Sequence, residues 1–301
     1  PCIEIWSHTY SGIEVPLACA ESMPGAARLL VDHLRAQRGA AFVVVGQMPL
    51  DGPVDAAVRG RGTRVVVLDR FERAVVRRRP RETYVAEAMK PKRRRDLERL
   101  RRRLERDTGG PVTCVDRADD PSAVEDFLAL EAAGWKGANG TALACDPLHA
   151  RFFREMCEGF ARDGRLQLVS LSAGGRTIAM KCNLVASDRL FTFKQAYDEE
   201  FSDYSPGRLV EMDNLRHFHR STTAVLMDSM AHPENRYING LWPDRRPLGT
   251  LLVPARGPLG AIAGALVSLA LAARVVRRPT RLYEGRRAAR AGAPARGGGE
   301  R

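Results

Sequence analysis

Apolar and polar residues alternate in three short runs in the second half of the chain, and turn-forming residues separate these runs. The turns, at 173–176 and 187–189, contain Gly-Gly and Ser-Asp pairs that tolerate tight turns. The pattern predicts a three-stranded meander over residues 166–171, 177–185 and 190–197. In the third run Phe191, Phe193 and Tyr197 recur at period two, so we expect one aromatic, buried face.

A polar segment follows the third run and ends in Ser205-Pro206-Gly207. Residues 208–219 then carry apolar side chains at helical spacing, which predicts a helix. Unpaired backbone N–H groups and the positive end of the helix dipole converge at such a start, so a pyrophosphate such as that of coenzyme A fits there. An ordinary connection between a strand and a helix gives the same pattern and is the alternative.

The rest of the pattern predicts further strands and helices, and therefore an α/β fold with a mixed sheet. In the first half we expect a helix at 25–38, strands at 41–45 and 63–68, and a basic helix at 90–107. In the second half we expect a strand at 112–115, a helix capped by Ser122 and Glu125 after Pro121, a helix at 147–163 and a strand at 224–227. The last strand should lie parallel to the third strand of the meander.

Two blocks of residues carry a resemblance to a known family. One block combines Tyr197-Asp198 with Ser205-Pro206-Gly207, and the other combines residues 92–97 and 127–131 with Gly134-Trp135-Lys136-Gly137. Over residues 90–230 the chain resembles the GNAT acyltransferase superfamily, in particular its CelD/BcsL branch of the FemAB-like, double-GNAT type. The resemblance implies a GNAT-like acyl-CoA acyltransferase fold built from two tandem halves.

One signature common among GNAT proteins is missing. The residue three before Gly207 is Tyr204 and the residue two after it is Leu209, where the family's loop carries Arg or Gln and Gly or Ala. FemAB-like aminoacyl transferases share the double-GNAT plan and use charged tRNA instead of coenzyme A. Both kinds of acyl donor therefore stay open.

We expect the chain to divide into three segments. Residues 1–108 would form a degraded N-terminal GNAT-like half, residues 109–255 the catalytic GNAT-like domain, and residues 256–301 a short apolar helix with a disordered basic tail. The apolar run at 259–273 is shorter than the roughly 20 residues that span a bilayer. Packing on the protein body, contact with a membrane surface through 259–278, and docking to a partner helix are the alternatives.

The resemblance also implies where the substrates lie. The pantetheine arm would run between the third meander strand and the strand at 224–227, where backbone amides polarise the thioester carbonyl. The implied coenzyme A-binding residues are Gln195, Ala196, Tyr197, Ser205, Pro206, Gly207, Arg208 and Leu209. Trp135 and Lys136 occupy the family's acceptor-side loop, although a Trp face suits core packing as well as a sugar ring.

Catalytic candidates are the titratable residues at the mouths of these two strands. Asp198, Asp228 and His232 are so placed, and an imidazole pKa of about 6.5 suits a general base. Tyr204 is a candidate acid for the departing sulfur. The structural alternatives are a loop before proline shaped by His232, a loop capped by Asp198 and a tyrosine stacked within a loop.

Charge and cysteine content narrow the function classes. The net charge is +12, but residues 256–301 hold ten Arg and two Glu, and residues 92–106 hold nine basic and three acidic residues. Most of the chain is therefore not basic, and the basic helix is interpreted as a solvated amphipathic helix, with phosphate, tRNA or membrane contacts as alternatives. Six cysteines without a CxxC pair predict reduced thiols in a cytosolic protein and no metal site.

Together these observations predict a cytoplasmic N- or O-acyltransferase. It would transfer an acetyl or other acyl group from acyl-CoA to a small-molecule or glycan acceptor, and the CelD/BcsL resemblance implies a role in polysaccharide or cell-envelope biosynthesis. Peripheral attachment to the inner face of the membrane is an added expectation, and we expect the natural chain to begin before Pro1. The alternatives are a FemAB-like aminoacyl-tRNA-dependent peptidyltransferase, a non-catalytic membrane-associated scaffold and a nucleic-acid-binding module.

Overall fold

The computed structural model describes residues 1–5, 7–15, 18, 19, 21–60, 65–79, 84, 87 and 89–270. Its strands are β1 (Cys2–Glu4), β2 (Phe42–Pro49), β3 (Val66–Arg77), β4 (Val112–Asp116), β5 (Leu166–Ala173), β6 (Arg176–Ala186), β7 (Arg189–Tyr197), β8 (Leu226–Asp228) and β9 (Asp244–Pro254). Its helices are α1 (Met23–Arg35), α2 (Pro53–Arg59), α3 (Pro91–Thr108), α4 (Ala123–Ala133), α5 (Trp135–Ala138), α6 (Pro147–Arg162), α7 (Pro206–Ser221), α8 (Arg236–Asn239) and α9 (258–270). Leu143–Cys145 and Glu199–Tyr204 form 3-10 helices.

The chain divides into two compact units. Unit 1 comprises Pro1–Phe71 and Pro247–Arg301, and unit 2 comprises Glu72–Arg246. The domain limits expected from the sequence, after residues 108 and 255, stay a prediction.

Unit 2 contains a mixed sheet with the strand order β3-β8-β7-β6-β5-β4. The pairs from β4 to β7 are antiparallel, β7 and β8 are parallel, and β8 and β3 are antiparallel. The predicted meander is confirmed as β5, β6 and β7, and so is the parallel placement of β8 beside its third strand. The mixed α/β fold class is confirmed as well.

Helices cover both faces of this sheet. On one face α7 packs through Leu209, Leu215 and Phe218 against buried strand residues and against α3. On the other face Phe127 of α4 contacts Phe153 of α6, with ring centroids 5.1 Å apart. The apolar side chains that these helices bury recur at helical spacing in the sequence, because side chains three and four positions apart share one helix face.

Two expectations about unit 2 are wrong in detail. The aromatic side chains Phe191, Phe193 and Tyr197 are half-buried and do not form one buried face, because the strand is irregular at Phe193 and both Phe193 and Tyr197 line an open pocket. The expected capping pair of α4 does not form: Ser122 makes no capping hydrogen bond and instead donates to Asp120 at 2.8 Å.

A β-bulge interrupts the pairing of β6 with β7. Cys182 lies opposite Lys194 and Asn183 lies opposite Thr192, so Phe193 is the extra residue on β7. A bulge turns consecutive side chains toward the same face of the sheet. Phe193 accordingly stacks on Phe153 of α6, and Lys194 reaches Glu131 of α4 on that same side.

Unit 1 contains strands in the order β1-β2-β9, with β1 parallel and β9 antiparallel to β2. Its core joins Ala27 and Val31 of α1 with Val43 of β2 and Val253 of β9. The apolar segment expected at 259–273 is helical as α9 up to residue 270, and the expected basic tail lies outside the described residues. Within the described ranges, no helix is both long and apolar enough to cross a membrane.

Candidate functional site

A pocket with a volume of about 610 Å³ lies in unit 2 where β7 and β8 part. The two strands pair from Arg189 to Phe191 of β7, after which β8 ends and β7 continues to Tyr197. The hydroxyl of Thr192 donates to the carbonyl of Ser229 at 2.8 Å and ties the two chains together where they separate. The volume falls within the range of small-molecule sites.

Most of the residues predicted to bind ligands meet at this pocket. Its wall includes Gln195, Tyr197, Ser205, Pro206, Gly207, Arg208, Trp135 and Lys136. The other two predicted coenzyme A-binding residues, Ala196 and Leu209, are buried in the core, with 3% and 2% of their surface exposed. Residues far apart in the sequence therefore form one wall, as the strand and helix pattern required.

Gly207 is needed where α7 begins because its neighbours approach closely. A Cβ atom at this position would lie 2.7 Å from Nε2 of Gln195. The Gly207 carbonyl accepts hydrogen bonds from the Tyr237 hydroxyl at 2.5 Å and from Nε2 of Gln195 at 3.3 Å. A larger residue would push both side chains into the pocket or separate β7 from α7.

The first turn of α7 carries the positive end of the helix dipole, and some of its backbone N–H groups already donate hydrogen bonds within the chain. Ser205 adopts the left-handed conformation with φ of 54°, and its carbonyl accepts from the amides of Arg208 and Leu209 at 2.9 and 3.1 Å. An anion at this end would therefore depend on the helix dipole and on nearby cationic side chains more than on those two amides.

One cationic side chain of the wall, Lys181 of β6, belongs to a buried polar network. Its ammonium pairs with the carboxylate of Glu211 on α7, and both side chains are at most 4% exposed. Glu211 also accepts from the indole N–H of Trp242 at 3.0 Å and from Nδ2 of Asn214 at 3.2 Å. Such multiple hydrogen bonds are what makes a buried ion pair tolerable.

Two further lysines of the wall share one buried carboxylate on the opposite side of the sheet. Nζ of Lys136 lies 2.9 Å and Nζ of Lys194 lies 3.2 Å from Oε1 of Glu131, whose other oxygen accepts from the Leu143 amide at 2.8 Å. Burial, and secondarily the neighbouring Lys136, lower the pKa of Lys194 although Glu131 opposes this. Burial tends to raise the pKa of Glu131, but the Leu143 amide and the lysines lower it overall.

The loop that carries Lys136 is shaped by glycine. A Cβ at Gly137 would lie 1.8 Å from the carbonyl oxygen of Ala132, so only glycine lets α5 fold back against the end of α4. This fold brings Lys136 to Glu131 and also to the β7 carbonyl of Gln195, at 2.7 Å. The backbone N–H of the neighbouring Trp135 donates to Oε1 of Glu199 at 2.7 Å, and the Trp135 side chain is half exposed.

The pocket wall is strongly cationic. Lys136, Lys181, Lys194 and Arg208 all contribute to it. Among the residues that the structure describes, no Asp or Glu lines the pocket. Such a wall favours a ligand with negative charge.

Asp228, a predicted catalytic residue, is not among the residues that line this pocket. Its carboxylate is fully buried, 3.7 Å from Arg73 and 3.9 Å from Arg246, and accepts from the Met230 amide at 2.9 Å. Burial raises its pKa although both arginines oppose the shift. These contacts fit a residue that shapes the turn after β8.

The other three predicted catalytic residues also point elsewhere. Asp198 caps the 3-10 helix after β7 and pairs with Arg176 at 2.5 Å, beside a second, acidic cavity of about 520 Å³. His232 is exposed, and its ring nitrogen accepts from the Glu234 amide at 3.4 Å. The Tyr204 hydroxyl donates to Asp107 at 2.7 Å, and this bond raises the pKa of the tyrosine.

Several side chains of the pocket region were not predicted from the sequence. These are Lys181, Lys194, Glu131, Glu211 and Tyr237. A usable signal was present for Lys181 and Lys194, since each is a charged residue within a predicted strand. Their partners could not be found in this way, because Glu131 precedes Lys194 by 63 residues.

Comparisons with known proteins bear on the fold. Residues 91–230 match the family model described as an acetyltransferase (GNAT) domain. No curated protein matches the sequence. The crystal structure of FemX is similar at 9% identity and a TM-score of 0.55, over 83% of this chain and 79% of that one.

Two other solved structures resemble this chain at a similar level. The C-terminal domain of a putative lysylphosphatidylglycerol synthetase from Agrobacterium fabrum has 16% identity and a TM-score of 0.51, over 85% of this chain and 80% of that one. A conserved protein of unknown function from Bacteroides thetaiotaomicron has 10% identity and a TM-score of 0.53, over 77% of this chain and 75% of that one. Together with the family match, the parted parallel strands define the fold as GNAT-like.

Proposed function

We propose that this protein is an acyltransferase that moves an acyl group from acyl-CoA to an amine or hydroxyl acceptor. The observation that carries the proposal is the cationic pocket between the parted ends of β7 and β8, beside the start of α7. Beyond Phe191 the β7 main chain does not pair with β8. It can therefore form hydrogen bonds with a pantetheine arm that lies beside it like an added strand. The GNAT family match supports the same donor.

The reaction needs little from the protein besides positioning and electrostatics. The acceptor nitrogen or oxygen attacks the thioester carbonyl, the new C–N or C–O bond forms, and the C–S bond breaks to release the coenzyme A thiolate. The acceptor proton leaves to a base or to water. Backbone N–H groups of β7 and the cationic wall would stabilise the negative oxygen that forms in between.

Asp198, Asp228, His232 and Tyr204 stay candidate catalytic residues. Their positions outside the pocket wall favour structural roles. The CelD/BcsL resemblance supports a role in polysaccharide or cell-envelope biosynthesis, in the cytoplasm or at the inner face of the membrane. A non-catalytic, membrane-associated scaffold is the alternative in which the pocket binds no acyl donor.

A FemAB-like aminoacyl-tRNA-dependent transferase is the second candidate function. The fold similarity to FemX supports it, and so does the row of exposed basic side chains on α3, which includes Lys92, Arg95, Arg99, Arg102 and Arg106. In this alternative the pocket holds the aminoacyl end of the tRNA, and α3 contacts its phosphates.

Calorimetric titration with acetyl-CoA, longer acyl-CoA species and uncharged tRNA separates these functions. Gly207→Val should weaken acetyl-CoA binding by about tenfold or more, because the new side chain displaces Gln195 and Tyr237 from their contacts with α7. Gly159→Val is the matched control, since a Cβ at this helical glycine meets no atom within 4 Å.

The two variants should retain the wild-type circular dichroism spectrum. Equal acetyl-CoA affinity in Gly207→Val and Gly159→Val would refute the coenzyme A site. Tight, salt-sensitive tRNA binding without acetyl-CoA binding would establish the second candidate instead.

A further inference from the structure

The two faces of the sheet contribute different cations to the pocket. Lys181 points toward α7 and forms an ion pair with Glu211. Lys194 follows the bulge and points toward α4, where it shares Glu131 with Lys136. The α4 side of the pocket therefore lies across the sheet from the start of α7, where the donor's phosphates are proposed to bind.

Two ammonium groups converge on one carboxylate oxygen within the cluster of Lys136, Lys194 and Glu131. The Glu131 side chain is fully buried, and the two lysine side chains are 23% and 19% exposed. Positive charges in a partly dehydrated site interact strongly with an anion, because water screens them poorly there. This cluster also lines the pocket, so a ligand can reach it.

The fold fixes this arrangement at three points. Gly137 allows the turn that carries Lys136, the bulge at Phe193 aims Lys194, and the Leu143 amide holds the second oxygen of Glu131. Side chains held in this way lose little conformational entropy when a ligand binds. The half-exposed Trp135 and the ring of Phe193 line the same pocket.

We propose that Lys136 and Lys194 form an anion subsite for the acceptor, so that the substrate which receives the acyl group carries a carboxylate or a phosphate. This inference rests on the proposed function for the assignment of the opposite side of the pocket to acyl-CoA. The anion bridges the two ammonium groups, and the acceptor's amine or hydroxyl extends toward the gap between β7 and β8. Both anion types share the recognition chemistry, and the experiment separates them.

The test begins with protein saturated by coenzyme A, so that the donor's phosphate positions are already filled. Sodium acetate and inorganic phosphate are then titrated separately as probes, in wild type, Lys194→Met, Lys194→Arg and Lys92→Met. Lys92 is an exposed lysine of α3 and serves as the matched control. We expect saturable binding of at least one probe, weakened about tenfold in Lys194→Met and retained in Lys194→Arg and Lys92→Met.

A turnover assay extends the test to paired acceptors, with release of the coenzyme A thiol as the readout. Glycine is compared with glycinamide, and glucosamine 6-phosphate with glucosamine. Preference for one anionic member, lost in Lys194→Met through a raised KM, supports the subsite and tells carboxylate from phosphate. Equal use of both members of each pair by wild type overturns it.

The outcomes for donor and acceptor can be told apart. If coenzyme A binds but no probe binding depends on Lys194, the subsite is refuted and the proposed function stands. If coenzyme A does not bind but a probe binds in a Lys194-dependent manner to the protein alone, the anion site stands and its role as an acceptor subsite falls. If Lys194→Arg retains probe binding, position 194 tolerates substitution, and the loss of binding in Lys194→Met is due to the missing positive charge.

Discussion

At the scale of single residues, the buried pair of Lys181 and Glu211 should make a large contribution to stability. Lys181→Met should lower the free energy of unfolding by about 3 kcal/mol, because it leaves the Glu211 carboxylate buried without its ammonium. Urea denaturation measures the change. Arg151→Met is the control: it breaks the exposed pair with Glu155, whose side chains are 72% and 60% exposed, and should change stability by less than about 1 kcal/mol. Similar losses in both variants would contradict the prediction.

The sequence predicts some residues of the site but not others. It places Gln195, Gly207 and Lys136 at the substrate site, and the structure brings them together. It does not identify the lysines on β6 and β7 as part of that site, because their partners, Glu211 and Glu131, lie on helices far away in the chain. Local patterns specify elements, whereas charge pairing across the sheet depends on how those elements pack.

At the scale of elements, local sequence signals were sufficient for most strands and helices. The meander, α6 and α7 lie within a few residues of their predicted limits, because turn residues and apolar periodicity mark them. The bulge at Phe193 has no such mark, since an extra residue in a strand looks the same as a regular one. Ser122 does not cap α4 because its hydroxyl donates to Asp120 and accepts from Arg117.

The hydrogen bond from Thr192 to Ser229 gives a prediction about these elements. Thr192→Val keeps the shape of the side chain but removes the bond that ties β7 to the segment after β8. We expect a loss of about 1 kcal/mol in stability and faster amide exchange in residues 229–238. Thr113→Val on β4 is the control, because Thr113 is an exposed strand residue. Unchanged exchange at 229–238 would show that the bond is not what fixes this wall of the pocket.

For the molecule as a whole, the formal charge overstates the basic surface. On α3, Arg94, Arg99 and Arg103 each pair with an acidic residue of the same helix, and Arg101 pairs with the largely buried Asp213 of α7. A nucleic acid would therefore meet fewer unpaired cations on α3 than the count of basic residues suggests. The sequence gives the number of charges but not their pairing, which follows from packing.

This charge pairing leads to a prediction for tRNA. Arg95→Glu with Arg102→Glu reverses two exposed charges on α3 and should leave acetyl-CoA affinity within about twofold of wild type, because neither side chain lines the pocket. If tRNA is a substrate, the same change should weaken tRNA binding and flatten its salt dependence. Binding titrations at two salt concentrations measure both effects. A large loss of acetyl-CoA affinity would place α3 in the donor site.

The burial of Lys194 beside Lys136 also affects the pH range in which the proposed transfer would work. Burial lowers the pKa of Lys194, so its ammonium loses its proton earlier than that of an ordinary lysine as the pH rises, and the proposed anionic acceptor would then be held less tightly. An acceptor amine, in contrast, becomes a nucleophile only when it loses its own proton. If the proposed acceptor is an amine, these opposing requirements would confine efficient transfer to a pH range whose lower limit is set by the acceptor and whose upper limit is set by Lys194.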